Sequence, residues 1–496
     1  MAKKFAKPKL AEADPGAGKT HAMVDEIVAA IQVLPPHRFL AAITYTNAAA
    51  NTIRERLSTR VQLRRNVFVG TTHAFVNRFV LAPCAELLSF LPEDRMYVPI
   101  DVHEKKSGAG IYTRNLIKKG IVPYDSMIPT SRRILERSGI RDRICRRLAY
   151  IFVDEFQDAD IGMFELFKHF RKAAKTTLFA VGDPEQYVMS FAYRGQKPPA
   201  FDKIPFFRFK KLAQSEPIIE NHRSNGEIVT FANQFREDLQ QKAVKPYRNE
   251  PRVLFISATV LEEIVRLYQA LSANIETEEE HRTRLYLSEE NATFDSVCNQ
   301  FKLTPISNIG RKANTLLGDT LELLSVTLDR SQRRICEEYG LSQIQLRAIG
   351  TRLLRGLGAG QYGIDQLVMF VVDKFDHKVS KSRITLIEDG LSLLNAGLAR
   401  KASEQMTELY ASIRKAKGLQ ADATLVVAKS VNELKKWLQT DRSARVADKQ
   451  DKCRLGYVAF TRSREMLCIA CLKKLDTELI QKLQNLGIVT VAGNDT

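Results

Sequence analysis

The sequence predicts an α/β protein built from two parallel-sheet domains, each interrupted by a small, mostly helical insertion. Three observations carry that expectation. Strand-like apolar runs alternate with helical patterns over the first 80 residues (FLAAITYTN, AAANTIRERLSTRV, NVFVGTTHAF), the rhythm of parallel βα units. The rhythm breaks near Leu81 and resumes at LAYIFVDEFQD and KTTLFAVGDPEQ. A second pattern of the same kind starts after Pro217 (RVLFISA, RTRLYLS), yields from Phe301 to a helical stretch rich in arginine, and returns in ADATLVVA and LGYVAFTRSREMLCIACL.

A chain of 496 residues exceeds one simple core, and its 44% hydrophobic and 27% charged residues are ordinary for globular domains. No apolar run approaches the length of about eighteen residues that a membrane helix needs, and no secretory leader opens the chain, so a cytoplasmic protein without a membrane partner is expected. The seven cysteines form no paired framework; Cys468 and Cys471 make one CxxC inside the apolar run MLCIACL, which reads as buried strand. Lys and Arg number 75 against 57 Asp and Glu, a net charge of +18, which points to a polyanionic partner. Part of the excess lies in Arg132–Arg147, RRILERSGIRDRICRR, with seven arginines against two acids, readable as a solvated helix face or as a contact for that partner.

Three segments carry chemistry. In AEADPGAGKT an apolar strand is followed by a glycine loop and then by Met23, Ile27, Val28 and Ile31 at helical spacing. In a phosphate loop of this kind the backbone of Gly16, Ala17 and Gly18 wraps a phosphate, Lys19 offsets its charge and the Thr20 hydroxyl holds Mg²⁺. The strict pattern has glycine where this chain has Ala13, so the loop alone also reads as an ordinary glycine-rich turn. In YIFVDEFQD an apolar strand delivers Asp154 and Glu155, suited to holding Mg²⁺ and to deprotonating an attacking water, with Asp158 readable as a helix cap. In VGDPEQ, Gln186 follows a further strand, where its amide could meet a terminal phosphate.

In chain order, AEADPGAGKT, ITYTNAAANTIRERL, VGTTHAF, FVDEFQD, VGDPEQ, ENHRSN, RKAKGLQAD and YVAFTRSRE resemble the motifs of superfamily 1 helicases of the UvrD/Rep/PcrA type. The resemblance implies two RecA-like P-loop cores: 1A over 1–80 and 148–215, and 2A over 216–300 and 405–496. Insertion 1B would fill 81–147 and a helical, 2B-like insertion 301–404. It implies ATP and Mg²⁺ as cofactors, with Lys19 and Thr20 on phosphate and metal, Asp154 on Mg²⁺, Glu155 as general base and Gln186 as γ-phosphate sensor. Arg223 and Arg462 would reach the γ-phosphate from the second core. Gly418 and Gln420 fall in a nucleotide-coupling motif in which Arg414 and Gln420 replace the family's usual His and Glu. Thr44, Tyr45, Asn47, Thr72, His73 and Phe75 match single-strand DNA contacts, and Tyr187, Phe191 and Tyr193 are candidates for base stacking, with core packing the alternative for each ring. MAKKFAKPKL lacks the glutamine with which the family reads adenine.

The function implied is an ATP-dependent 3′→5′ helicase or translocase on single-stranded DNA and single-strand/double-strand junctions, in DNA repair or anti-phage defence. The alternative is a nucleic-acid-gated regulatory ATPase subunit controlling a partner nuclease. In size the chain resembles the stand-alone UvrD-like proteins of Gabija-type defence systems.

Overall fold

Parallel strands that are apolar at nearly every position need cover on both faces, and both large sheets of this chain receive it. The computed structural model describes residues 7–87, 98–100, 121–172, 175–189, 198–248, 250–275, 282–306 and 408–492, together with helical segments within 316–391. In the first sheet the strands are β1 (Lys9–Ala13), β2 (Phe39–Thr44), β3 (Val67–Thr71), β4 (Leu148–Val153), β5 (Thr177–Gly182) and β6 (Gln214–Ile218). They lie in the order β3-β2-β4-β5-β1-β6, every pair parallel.

The strand period of two divides the apolar residues between the faces. Leu10, Ile43, Ile151, Val153, Leu178 and Ala180 face one cluster, and Ala11, Ala42, Phe152, Phe179 and Val181 the other. The second face is closed by α1 (Lys19–Gln32) and α2 (Asn47–Ser58), through Met23, Ile27, Ile31, Ile53 and Leu57. The first is closed by α3 (Tyr124–Glu136), α4 (Ser138–Arg147) and α5 (Ile161–Lys172). Met127, Ile134, Leu135, Ile144 and Cys145 therefore belong to the first core's own apolar cluster, although they fall in the stretch read as an insertion. The arginine-rich run is α3 and α4 seen from outside: Arg133, Arg137, Arg143, Arg146 and Arg147 are exposed, while Arg141 is half-buried against Asp142 at 3.8 Å.

The second sheet contains β7 (Val253–Ser257), β8 (Arg284–Ser288), β9 (Thr304–Pro305), β10 (Glu408–Ser412), β11 (Ala421–Ala428), β12 (Ser463–Cys471) and β13 (Val489–Ala492). Its order is β9-β10-β8-β11-β12-β7-β13, again wholly parallel. Central β11 is buried along its whole length, as a strand covered on both faces must be. Cys468 and Cys471 are an odd number of residues apart on β12 and join separate apolar clusters on its two faces.

Both sheets belong to one compact unit, residues 1–306 with 408–496, and residues 307–407 form another. Within that other unit, α8 (Leu316–Leu328), α9 (Gln343–Gly358) and α10 (Ile364–Phe375) meet through Leu321, Leu324, Leu346, Val371 and Phe375. Among the described residues no helix is long and apolar enough to cross a membrane.

Trp437 ends α11 (Val431–Trp437) fully buried, pressed on Gly456 of α12 (Lys452–Phe460). A Cβ at Gly456 would lie 2.6 Å from Trp437 Cβ and 2.7 Å from its backbone oxygen. Gly456→Ala gains about 1 kcal/mol of helix propensity, but the clash is with backbone, which cannot rotate away, and overpacking costs about 1–3 kcal/mol. A net fall in the thermal midpoint is expected, and a rise would show that the two helices separate at no cost.

Candidate functional site

Parallel sheets gather the loops that follow their strands at one edge, and the motif residues of the first core sit there. Ala13 still pairs with Ile218, so β1 runs extended through the position where the strict pattern has glycine. The loop then turns on Gly16 and Gly18, with φ of 90° and 75°. At Gly16 a side chain is excluded twice over, since a Cβ would also lie 2.6 Å from Asn221 Oδ1. The first turn of α1 has neither a side-chain cap nor an acid, so its N–H groups and the positive end of its dipole remain for an anion. Lys19 Nζ donates to Ala13 O at 3.2 Å.

Asp154 follows β4, buried, and its Oδ1 accepts the Glu155 N–H at 3.0 Å. Burial first, and then the Glu155 charge, lift its carboxyl to about 7. Two adjacent acids that repel in this way fit a divalent cation, which reverses the local charge balance. A hard cation such as Mg²⁺ takes one or two protein oxygens and completes its shell with water and phosphate. Asp154 and the Thr20 hydroxyl would hold it, and it would neutralise charge on the phosphates.

Glu155 has φ 51°, a left-handed conformation that costs a non-glycine residue about 1–3 kcal/mol. Its neighbours hold it there. The Gln157 side-chain amide donates to its carboxylate, and Lys417 Nζ stands 4.0 Å from Oε2. Burial alone would push this carboxyl up, but Lys417, Lys19, Gln157 and Arg462 outweigh it and keep it below its ordinary value. Glu155 is thus a charged acceptor poised for a proton. Gln157 Oε1 in turn accepts the Asp183 N–H at 3.0 Å, tying the end of β4 to the turn after β5.

The second core contributes Arg223, Arg462 and Lys417. Arg462 is buried; Nη1 donates to Leu419 O at 3.2 Å and Nη2 to Gln186 Oε1 at 3.5 Å. Arg223 Nη1 donates to Thr461 O at 3.2 Å. Burial, then Arg462 and Arg464, bring Arg223 down to about 9, and burial brings Arg462 down to about 10. Lys19 is also lowered, by burial and by both arginines, against the pull of Glu155 and Asp183. A phosphoryl group is the anion that three converging cations of this kind fit.

Several expectations take a different form. Gln186 is buried and spends an amide N–H on Asp183 Oδ2 at 2.9 Å, presenting its oxygen to Arg462. Gly418, with φ 86°, and Gln420 are both exposed; it is Lys417 of that motif that reaches the carboxylates, 2.6 Å from both oxygens of Asp158. Asp158, readable as a cap, is that lysine's partner. Phe75, matched to a single-strand contact, and Tyr187, a stacking candidate, both take the alternative of core packing. Phe75 is 0% exposed among Phe68, Phe79 and Phe170, and Tyr187 is buried in the same cluster while its carbonyl accepts Arg454 Nε at 3.0 Å. Thr44 and Thr72 are buried as well. Tyr45 is half-buried and donates to Met163 Sδ at 3.4 Å. Asn47 is exposed at the start of α2, and half-buried His73 meets the ring of Tyr124 edge-on at 5.3 Å. Tyr124, 38% exposed, escaped the sequence reading because it lies outside any motif. Phe191 and Tyr193 lie outside the described residues.

Lys417→Met removes a charge that lowers the Glu155 carboxyl, so the base would protonate at higher pH. The acid limb of the pH–rate profile for triphosphate hydrolysis should move upward, and an unmoved limb would remove Lys417 from that role.

Residues 4–192 match the family model of the AAA domain. Along 96% of its length the chain is 22% identical to the Gabija protein GajB of Bacillus cereus (strain VD045), covering 95% of that protein. Over 46% of its length it is 24% identical to the ATP-dependent DNA helicase Rep of Escherichia coli (strain K12), of which it covers 40%. The Rep helicase of Buchnera aphidicola subsp. Acyrthosiphon pisum (strain APS) is 26% identical over 283 residues, with 42% of its length covered. The chain thus spans nearly all of the first relative but about two-fifths of the Rep proteins. With its phosphate loop, its adjacent acids and two arginines from a second parallel-sheet core converging on one site, the chain is similar to the UvrD-like superfamily 1 helicases.

Proposed function

We propose that the chain is an ATP-driven 3′→5′ translocase and helicase on single-stranded DNA, serving anti-phage defence. The observation that carries the reading is the division of the site between the cores: Lys19, Asp154, Glu155 and Gln186 come from the first, Arg223, Arg462 and Lys417 from the second. Such a site is complete only when the cores are together. Glu155 takes the proton of the attacking water, Lys19 and the arginines stabilise charge on the transferring phosphoryl group, and Asp154 and Thr20 would hold a Mg²⁺ whose charge would offset that of the phosphates. Loss of the γ-phosphate removes the anion between the cations and lets the cores part, which converts hydrolysis into steps along a strand. The polarity rests on the resemblance to UvrD-like helicases alone. The exposed Asn47 and Tyr124, the half-buried His73 beside Tyr124 and the net charge of +18 support a nucleic-acid track.

A second reading, a DNA-gated ATPase subunit that controls a partner nuclease, is favoured by one observation. The relative matched along almost the whole chain is a Gabija protein, whereas Rep is matched over a fraction of its length. Strand displacement by the isolated chain separates the readings: unwinding supports the helicase, and DNA-stimulated hydrolysis without unwinding supports the gated subunit.

Hydrolysis should be slow without DNA and rise with single-stranded DNA. Because phosphate contacts release counterions, the stimulation at fixed DNA should fall steeply between about 50 and 200 mM salt. Glu155→Gln should abolish turnover while retaining ATP, and Lys19→Ala should lose both. Equal turnover with and without DNA across that salt range would contradict a translocase.

A further inference from the structure

We propose that Arg236 is a positioning residue, set in the second core, that fixes both the phosphate loop and the Gln186 turn. The proposal rests on the ATPase reading above. Arg236 follows α6 (Gly226–Asn233), one residue after Phe235, which is anchored in the second core's apolar cluster. The guanidinium is buried and reaches back into the first core. Nη1 lies 2.7 Å from Asp14 Oδ1 and 2.8 Å from Asp183 Oδ1, Nη2 lies 3.1 Å from Glu12 Oε1, and Nε lies 3.0 Å from Asp238 Oδ1.

The three first-core carboxylates come from β1, the phosphate loop and the turn after β5, and all are under 5% exposed: Glu12 4%, Asp14 1% and Asp183 0%. Buried acids this close repel, and Arg236 opposes that with a planar fork that a lysine cannot imitate, while burial still holds the Asp14 carboxyl well above its ordinary range. Lys210 also pairs with this cluster, at Glu12.

Arg236 touches none of the residues assigned to the phosphates or the attacking water, so it acts through its partners. One arm runs through Asp14 to the loop, whose carbonyls the same second-core segment also fastens. Asn221 Nδ2 donates to Pro15 O at 2.9 Å, and the His222 N–H donates to Gly16 O at 3.0 Å. The other arm runs through Asp183, whose Oδ2 accepts Gln186 Nε2 at 2.9 Å while Gln186 Oε1 faces Arg462. The first arm shapes the cradle that binds phosphate, and the second aims the group that meets the terminal phosphate.

The test measures ATP KM, kcat and thermal midpoint for Arg236→Gln, Arg236→Lys, Asp14→Asn and Asp183→Asn with saturating single-stranded DNA. Arg236→Gln, folded by circular dichroism, should raise KM and lower kcat by about tenfold each. Asp14→Asn should move mainly KM and Asp183→Asn mainly kcat, while Arg236→Lys falls between Arg236→Gln and wild type. A merely structural cluster would lower the midpoint and leave both constants within about twofold in all four variants, which would overturn the proposal. Should Arg236→Gln fail to fold, Arg236→Lys and the two acid variants carry the same decision. If the wild-type chain itself does not hydrolyse ATP, the ATPase reading fails. The loop arm is then judged by binding of a fluorescent ADP, which Arg236→Lys must weaken if that arm stands and leaves unchanged if it does not.

Discussion

Lys19, Arg223 and Arg462 bring three positive charges to one junction between two parallel sheets, and burial disfavours the charged form of each. Taking a cation out of water costs several kcal/mol even after relaxation, so such a cluster persists only when anions compensate it. Glu155 and Asp183 compensate in part. A bound triphosphate supplies the remainder, and the features around it follow from that demand: two left-handed glycines, an uncapped helix start and a strained Glu155 held between Gln157 and Lys417.

The cations that complete this site do not come from one sheet. Lys417 reaches Asp158 and Glu155, Arg462 reaches Gln186, Arg445 pairs with Glu185, and Arg236 holds Glu12, Asp14 and Asp183. On the proposed translocase reading each contact would couple the state of the nucleotide to the separation of the cores, because a charge pair formed in low dielectric weakens sharply when water enters between its partners. On that reading, the same contacts that complete the site are the ones that motion would have to break.

The phosphate loop and the adjacent acids were readable as short runs whose residue types suit phosphate and metal chemistry, whereas Arg223 and Arg462 were singled out only through the resemblance of ENHRSN and YVAFTRSRE to helicase motifs. Both parallel sheets were legible from the alternation of apolar runs with helical patterns, which a doubly covered sheet requires. The aromatic assignments were not. A motif places Phe75 and Tyr187 in the chain but does not say on which side of a strand end the ring falls, and both rings fell into the core. Arg236 carried no local signal, because its partners at positions 12, 14 and 183 are distant in sequence. The trace was a pair of acids, Glu12 near the end of β1 and Asp14 in the anion-binding loop that follows it, an arrangement that demands a cation from elsewhere. Lys417 stands in RKAKGLQAD beside two further basic residues, Arg414 and Lys415, and nothing in the run itself marks it as the one that touches the acids.

The central claim is that the cations of both cores together read a terminal phosphate. It is tested most directly by calorimetric affinities for ADP and for a non-hydrolysable ATP analogue, with Mg²⁺ and single-stranded DNA, in the wild type and in Arg223→Ala combined with Arg462→Ala. The account predicts that the analogue binds the wild type at least about tenfold tighter than ADP, the scale of one charge-assisted contact, and that the double variant loses this preference while keeping its affinity for ADP. Equal affinity of the wild type for the two nucleotides, or an unchanged preference in the double variant, would contradict it.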